Sequence, residues 1–186
     1  MANTRKLASR ASESTGFSPV IGSNARVLIL GSLPSQQSLA QNEYYANPRN
    51  AFWHIMCEIA SIKSSETYEA RCSQLIYKGI GLWDVLMSSV RPGSLDSAID
   101  LASARENDFA GLLAGHKELK CIGFNGMKSR QLFDRLVLKS FSLPNGLELV
   151  NLPSSSPAHA AMSFERKLEL WSVIARHLDP HDKTQN

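Results

Sequence analysis

The chain of 186 residues is 43% apolar and 20% charged, which is typical of a soluble globular protein with its own hydrophobic core. Its formal net charge is +3, a value that is compatible with a polyanionic partner but does not require one. No apolar run reaches the roughly 20 residues that cross a bilayer, so the composition excludes a helical membrane protein.

The cysteines carry no metal-binding or disulfide signature. Cys57, Cys72 and Cys121 are an odd number without C-x-x-C spacing. This pattern argues against a disulfide framework, a zinc site and an iron–sulfur cluster. We therefore expect no metal and no cofactor, and a reducing cytoplasmic location of the bacterial type, in the cytosol or nucleoid.

Short apolar strands alternate with amphipathic helices along the chain. In order they are the strand Arg26–Leu30, the helix Ala51–Ile62, the strand Leu119–Phe124, the helix Lys128–Leu138, the strand Leu147–Leu152 and the helix Ser163–Leu178. This alternation predicts a three-layer α/β sandwich around a mostly parallel sheet. We expect one folded domain over residues 17–179, a mobile leader over residues 1–16 without an export signal, and a tail over residues 180–186.

In parallel sheets, ligands bind beyond the carboxyl ends of the strands. Three loops follow the predicted strands, and we expect them to share one crevice: Gly31–Asn50, Asn125–Ser129 and Pro153–His159. The first begins at Gly31, which permits close approach of other groups or unusual backbone torsions.

The first loop is dense in aromatic and amide side chains. Tyr44 and Tyr45 could stack on a planar ring, and the amides of Asn47 and Asn50 could donate and accept hydrogen bonds at its edge. Asn50 also precedes an amphipathic segment, so its alternative role is to cap that helix. Arg49 could bind phosphate, pair with a carboxylate or remain solvated.

The other two loops admit both functional and structural interpretations. Asn125-Gly126 is an ordinary turn signal, yet an amide at a strand end could read the edge of a base. The segment Pro153–His159 contains two prolines and three serines, whose hydroxyl and backbone N–H groups could grip a phosphate backbone or simply form a stiff loop.

Several motifs in this order resemble the uracil-DNA glycosylase superfamily, most closely its hypoxanthine-DNA glycosylase branch, family six. They read GSLPSQQS, YYANPRNAFW, GLWDVL, RPGSLDSAI, GFNG and LPSSSPAHA, between about Arg26 and Leu178. The resemblance implies a compact α/β/α fold with a short, mostly parallel four-stranded sheet. It also implies a monomeric, monofunctional DNA glycosylase without a cofactor. Such an enzyme flips a deaminated base out of double-stranded DNA, hypoxanthine first and uracil second, and hydrolyses its N-glycosidic bond with a positioned water.

By match to these motifs, Asn50 positions the water, with Asn47 as the alternative. The implied base-binding residues are Gly31, Ser32, Leu33, Tyr44, Tyr45, Phe124 and Asn125. The implied DNA-backbone or wedge residues are Arg49, Pro153, Ser154, Ser155, Ser156 and His159. Asp84, in GLWDVL, is interpreted as a structural residue whose carboxylate bonds backbone amides.

The sequence departs from the superfamily at two positions. Leu33 stands where many relatives carry a water-orienting Asp or Asn, and Leu152 stands where some carry a catalytic His. Four alternatives therefore remain open. The first two are a glycosylase specific for G/U or G/T mismatches and a non-catalytic nucleic-acid-binding module. The other two are a serine hydrolase that uses Ser35 or one of Ser154–Ser156 with His159 and an acid, and a lyase that acts through Lys128 or another lysine.

Overall fold

The computed structural model describes residues 13–178, which contain seven strands. They are β1 (Glu13–Thr15), β2 (Val27–Gly31), β3 (Ile80–Asp84), β4 (Leu86–Val90), β5 (Arg105–Glu106), β6 (Cys121–Asn125) and β7 (Glu148–Leu152). Four of them form a parallel sheet in the order β3-β2-β6-β7. The three predicted strands correspond to β2, β6 and β7, and their predicted ends differ from the observed ones by at most two residues.

Six α-helices connect and cover these strands. They are α1 (Gln36–Gln41), α2 (Phe52–Ala60), α3 (Tyr68–Tyr77), α4 (Phe109–Gly115), α5 (Met127–Leu132) and α6 (Phe164–Trp171). The predicted helix Lys128–Leu138 corresponds to α5 and a π-helical turn over Phe133–Val137. The predicted helix Ser163–Leu178 corresponds to α6 and a 3-10 helix over Ser172–His177. Ser163 caps α6, because its side chain accepts from the N–H of Arg166.

The sheet is buried on both faces, as the alternation of β2 side chains shows. Successive side chains of a strand point to opposite faces. Leu28 and Leu30 pack into a core with residues of α4 and α5, whereas Val27 and Ile29 pack into a second core with residues of α2, α3 and α6. The predicted three-layer α/β/α sandwich with a four-stranded central sheet is thus confirmed.

A second, smaller sheet was not predicted. Strands β1, β4 and β5 pair antiparallel, with β4 in the middle. This corrects the predicted leader, because Glu13–Thr15 pair with β4 and the Ser88 hydroxyl donates to Glu13 Oε1 at 2.6 Å. The rest of the leader, residues 1–12, and the predicted tail, residues 180–186, lie outside the described residues.

In the strand order β3-β2-β6-β7, β2 comes first in the chain, and the later strands lie on both sides of it. The chain passes from β2 to β3 on one side and later returns to β6 on the other. At the carboxyl edge, Gly31 of β2 is the neighbour of Asp84 of β3, and Asn125 of β6 is the neighbour of Leu152 of β7. Such a switch point opens a crevice beyond the strand ends.

Candidate functional site at the carboxyl edge of the sheet

A cavity of about 350 Å³ occupies this crevice, which is a volume typical of small-molecule sites. All three predicted loops contribute to it. The predicted site residues that line it are Gly31, Ser32, Leu33, Tyr44, Tyr45, Asn47, Asn50, Asn125, Ser154, Ser155, Ser156 and His159. Asn50 and Asn125 come from segments far apart in the chain, and the fold brings both to this one cavity.

The floor of the cavity is formed where Gly31 meets Asp84. A Cβ built on Gly31 would lie 2.3 Å from Asp84 Oδ1 and 3.7 Å from the Tyr45 hydroxyl oxygen. No side chain fits in that space, so glycine is required here for close approach of the carboxyl group. Gly31, Asp84 and Tyr45 therefore converge at one point.

The predicted bonds from the Asp84 carboxylate to backbone amides are wrong. The residue surface of Asp84 is 4% exposed, and its Oδ2 atom has no hydrogen-bond partner within residues 13–178. Its carboxyl group bonds no backbone amide of residues 13–178; it is the main-chain oxygen of Asp84 that accepts, from Asn107 Nδ2 at 2.8 Å. The reason is that Asp84 ends β3 and its side chain lines the cavity.

Burial determines the protonation state of this carboxyl group. Desolvation raises the pKa of Asp84 to about 8, although the Arg91 guanidinium acts in the opposite direction. The neutral acid therefore predominates at neutral pH. A neutral carboxyl group can donate one hydrogen bond and accept another, whereas a carboxylate can only accept.

Tyr45 provides a second neutral hydroxyl near the same point. Its backbone is left-handed, with φ at 56°. The other described non-glycine residues with positive φ, Asn42 and Ser61, are helix C-caps, whereas Tyr45 does not end a helix. Its ring stacks on Phe52 with centroids 3.9 Å apart, and its hydroxyl is buried without a partner in the described structure. Burial raises the pKa of Tyr45, so the hydroxyl keeps its proton. Backbone strain of this kind is characteristic of functional sites.

Tyr44 differs from its neighbour, although it also lines the cavity. It is 3% exposed and belongs to the core beneath α2. Its ring packs edge-on against Phe17, and its hydroxyl donates to Ser18 O at 3.4 Å. Of the two tyrosines, only Tyr45 has a hydroxyl without a partner among the described residues.

Both candidate water-positioning amides line the cavity, and each is fixed by a local contact. Asn50 Oδ1 accepts from the N–H of Phe52 at 3.0 Å, and Asn47 Oδ1 accepts from the N–H of Arg49 at 2.9 Å. Asn50 thus bonds the first turn of α2, although the N-cap position itself is Ala51. An amide oxygen has two lone pairs, so capping leaves capacity to bind a water molecule.

Asn125 ties the loop Pro153–His159, the serine loop, to the sheet. Its Nδ2 donates to Ser155 Oγ at 2.8 Å, and its Oδ1 accepts from the N–H of Ser155 at 2.8 Å. The carbonyl oxygen of Ser155 in turn accepts from the N–H of Ala51 at 3.0 Å. The three loops are thereby joined into one hydrogen-bonded wall.

Three predicted site residues do not line the cavity. Phe124 is fully buried and packs against Phe133 with centroids 5.1 Å apart, so its predicted contact with a base is wrong. The reason is strand alternation, which points Phe124 into the core. Arg49 is exposed, and Pro153 supports the loop by accepting from Trp171 Nε1 at 2.8 Å.

A fourth segment, residues 94–97, lines the cavity and was missed as a site loop. It is joined to the first loop, because the Ser32 hydroxyl donates to Asp96 Oδ1 at 2.5 Å. The strand that sequence reasoning missed at this edge is β3, and its signal is GLWD, an apolar run that closes in a polar residue and would have placed Asp84 beside Gly31. A fourth strand implies a fourth set of residues at the same edge.

Residues 13–178 contain no group of three or more His, Cys, Asp or Glu arranged to hold a metal ion. None of the helices in that part of the chain has the length and apolar character that would let it traverse a membrane.

Comparison with known proteins gives consistent results, although no family model matches the chain. A protein named hypoxanthine DNA glycosylase from Methanosarcina acetivorans is 38% identical over 163 residues, which cover 87% of this chain and 98% of that protein. A protein of the same name from Methanosarcina barkeri is 39% identical over 153 residues, which cover 82% and 92%. A solution NMR structure of a candidate uracil DNA glycosylase from Methanosarcina acetivorans has a TM-score of 0.74 at 36% identity, with coverage of 89% and 98%.

Proposed function

The chain belongs to the hypoxanthine DNA glycosylase family of the uracil-DNA glycosylase superfamily, and on this premise we propose that it removes hypoxanthine from double-stranded DNA. The family resemblance found in the motifs is confirmed. The reaction is hydrolysis of the N-glycosidic bond, which leaves an abasic site. The base enters the cavity at the carboxyl edge of the sheet after rotating out of the duplex.

The choice of hypoxanthine follows the two relatives, and the observation that supports a base with an amide edge is the buried Oδ2 of Asp84 at the cavity, which has no partner within residues 13–178. Hypoxanthine presents an N–H donor beside a carbonyl acceptor along one edge. The protonated carboxyl group of Asp84 offers the complementary acceptor and donor, and its Oδ2 has no competing partner in the described structure. Gly31 lets the Asp84 carboxyl group lie against β2, because a Cβ at this position would be 2.3 Å from Asp84 Oδ1.

The same groups favour departure of the base. When the glycosidic bond breaks, negative charge accumulates on the leaving base. Neutral donors aimed at that charge in a dry site contribute about 3 kcal/mol each. The hydroxyls of Asp84 and Tyr45 are two such donors, whereas an ionised Asp84 would repel the charge.

Water attacks the sugar from the side of the first loop. Asn50 and Asn47 line the cavity and hold their amides in fixed orientations through Phe52 and Arg49. A side-chain amide can orient a water molecule without removing its proton. This suffices for a transition state in which the sugar already resembles an oxocarbenium ion and the nucleophile arrives late.

Contacts to the DNA backbone come from the serine loop. Ser154 and Ser156 are partly exposed at the cavity, and His159 is exposed beside them. Lys167 donates to the main-chain oxygen of His159 at 3.0 Å and so stiffens the far end of the loop. The protein acts as a monomer, and its free cysteines suit a reducing cytoplasm.

Selectivity for damage follows partly from the duplex. Rotating a base out of the stack costs a few kcal/mol, and least where the base is mispaired. Hypoxanthine pairs weakly with thymine or cytosine, so it reaches the cavity at a lower cost than a base in a Watson–Crick pair.

The test is a panel of duplexes that contain hypoxanthine, uracil, xanthine or a T·G mismatch, assayed for alkali-labile abasic sites. Hypoxanthine should be excised fastest, and borohydride should trap no Schiff base. Asp84→Ala should be much slower than Asp84→Asn, because the asparagine amide keeps both a donor and an acceptor. Salt-dependent binding without any abasic product would instead indicate a non-catalytic module.

Two further results would change the assignment. Release of uracil or mismatched thymine in preference to hypoxanthine would give the chain the substrate of a mismatch glycosylase. Equal activity of Asp84→Ala and the wild type would remove Asp84 from recognition of the base.

A further inference from the structure

One exposed aliphatic side chain stands at the mouth of the cavity. Leu95 lies between β4 and the 3-10 helix Asp96–Ala98, and it is 60% exposed. The other large aliphatic side chain of the lining, Leu33, is 5% exposed. Residues 13–178 leave most of Leu95 uncovered, so it faces solvent at the cavity, where a duplex would approach.

The segment that carries Leu95 is held in place by a buried cation. Arg91 is 2% exposed and donates through Nη1 to Leu33 O at 3.1 Å and through Nη2 to Pro34 O. The Ser94 hydroxyl accepts from the N–H of Gln36 at 2.9 Å. Leu95 is thus a fixed projection of the cavity rim.

The charge next to Leu95 does not oppose contact with DNA. Asp96 is the acidic neighbour, and its side chain is 47% exposed. Its Oδ1 accepts from the Ser32 hydroxyl at 2.5 Å and lies 4.0 Å from Arg91 Nη1. The carboxylate is therefore directed towards groups of the protein that offset its charge.

The motif match implied that the serine loop both contacts the DNA backbone and wedges the duplex. This loop has no large exposed aliphatic side chain like Leu95. Ser155 is 1% exposed and bonded to Asn125. The carbonyl oxygen of Pro153 accepts from Trp171 Nε1 at 2.8 Å. The remaining groups of the loop are hydroxyls, backbone N–H groups, a proline, an alanine and an imidazole, which suit phosphate contacts better than insertion between bases.

We propose that Leu95 is the wedge that enters the base stack and fills the gap left by the extruded base. This inference rests on the proposed function. Apolar side chains inserted between bases replace the stacking contacts that are lost when the duplex opens. Leu95 is apolar, exposed and located at the cavity, as this role requires. The serine loop would then contact the phosphates.

The experiment compares Leu95→Ala with the wild type on hypoxanthine in a duplex and in a single strand, under single-turnover conditions. In the duplex, Leu95→Ala should be slower by about tenfold or more, a factor that corresponds to about 1.4 kcal/mol. In the single strand, where no stack has to be held open, the rates should agree within about twofold. Leu95→Met keeps the apolar bulk and should restore most of the duplex rate.

Leu101→Ala is the matched control, because Leu101 is an exposed leucine of the same region that does not line the cavity. It should excise at the wild-type rate from both substrates. A second measurement needs no turnover. The fluorescence of 2-aminopurine placed beside the hypoxanthine rises when stacking is lost, and this rise should be smaller with Leu95→Ala than with the wild type.

The outcomes separate the wedge from the proposed function. Absence of base release by the wild type would reject the proposed function. The wedge is tested separately, by the ratio of the duplex excision rates of Leu95→Ala and the wild type and by the 2-aminopurine fluorescence. Equal duplex rates and equal fluorescence for Leu95→Ala and the wild type would overturn the wedge. So would an equal loss on duplex and single strand, which would indicate a role inside the cavity.

Discussion

Replacing Asp84 by asparagine removes the ionisable group from the cavity floor and keeps its shape. In the folded protein the pKa of Asp84 is raised from 3.8 to about 8 because the carboxyl group is desolvated. Between these two values the unfolded chain is ionised while the folded chain keeps its proton. Folded wild-type protein therefore loses about 1.4 kcal/mol of stability per pH unit through this group, and the loss ends above about pH 8, where both states are ionised.

The expected magnitude follows from this shift. From about pH 5 to about pH 8, Asp84 should lower the free energy of unfolding of the wild type by about 4 kcal/mol. An asparagine side chain cannot ionise, so Asp84→Asn should lack this contribution. The stability difference between variant and wild type should therefore grow in favour of the variant as the pH rises.

The assay is urea unfolding followed by far-UV circular dichroism at several values from about pH 5 to about pH 8, with the m-value compared at each. Glu66→Gln is the control for the same chemical change at an exposed position, and its free energy of unfolding should differ from that of the wild type by less than about 0.5 kcal/mol. A difference between Asp84→Asn and the wild type that stays constant within about 1 kcal/mol across this range would refute the reasoning.

Three further predictions concern catalysis and packing. Excision by the wild type should fall as the pH rises through about 8, since ionised Asp84 cannot donate to the departing base, and Asp84→Asn should lack this alkaline decline in a pH profile of kcat/KM. Asn50→Ala should slow single-turnover excision by about tenfold or more and lower the free energy of unfolding by about 1 kcal/mol. Asn50→Ser should restore the capping contact and the free energy of unfolding but not the excision rate. Excision at the wild-type rate by a folded Asn50→Ala would exclude the assigned role. Gly31→Ala should lower the free energy of unfolding by about 1–3 kcal/mol in urea titrations, because its Cβ would lie 2.3 Å from Asp84 Oδ1. Gly115→Ala, whose Cβ meets nothing within 4 Å, is its control and should not be destabilised.

Much of the scaffold was predictable because it depends on local patterns. The apolar runs that form β2, β6 and β7 and the helical periodicity of α2, α5 and α6 are properties of consecutive residues. The rule that carboxyl ends of parallel strands share one edge then placed Asn50 and Asn125 at the same cavity. Strands β1 and β5 escaped prediction because three and two residues carry too little periodicity.

The chemical character of the cavity depends on contacts between distant parts of the chain. Asp84 is a neutral acid because the fold buries it against Gly31, which comes from another strand. Arg91 fixes carbonyl groups that lie 58 and 57 positions earlier, and this holds Leu95 at the rim. Phe124 and Tyr45 were both predicted to contact the base. The side chain of Phe124 points into the core, whereas the hydroxyl of Tyr45 lies near Asp84.

The sequence by itself determined the alternation of β2, β6 and β7 with α2, α5 and α6, the edge of the sheet that carries the site and the family to which the chain belongs. Tertiary structure alone decided which groups at that edge lose their water, which keep a proton and which remain exposed to DNA. The physical reason is that periodicity is a property of neighbouring residues, whereas desolvation and exposure are set by every segment that packs around a group.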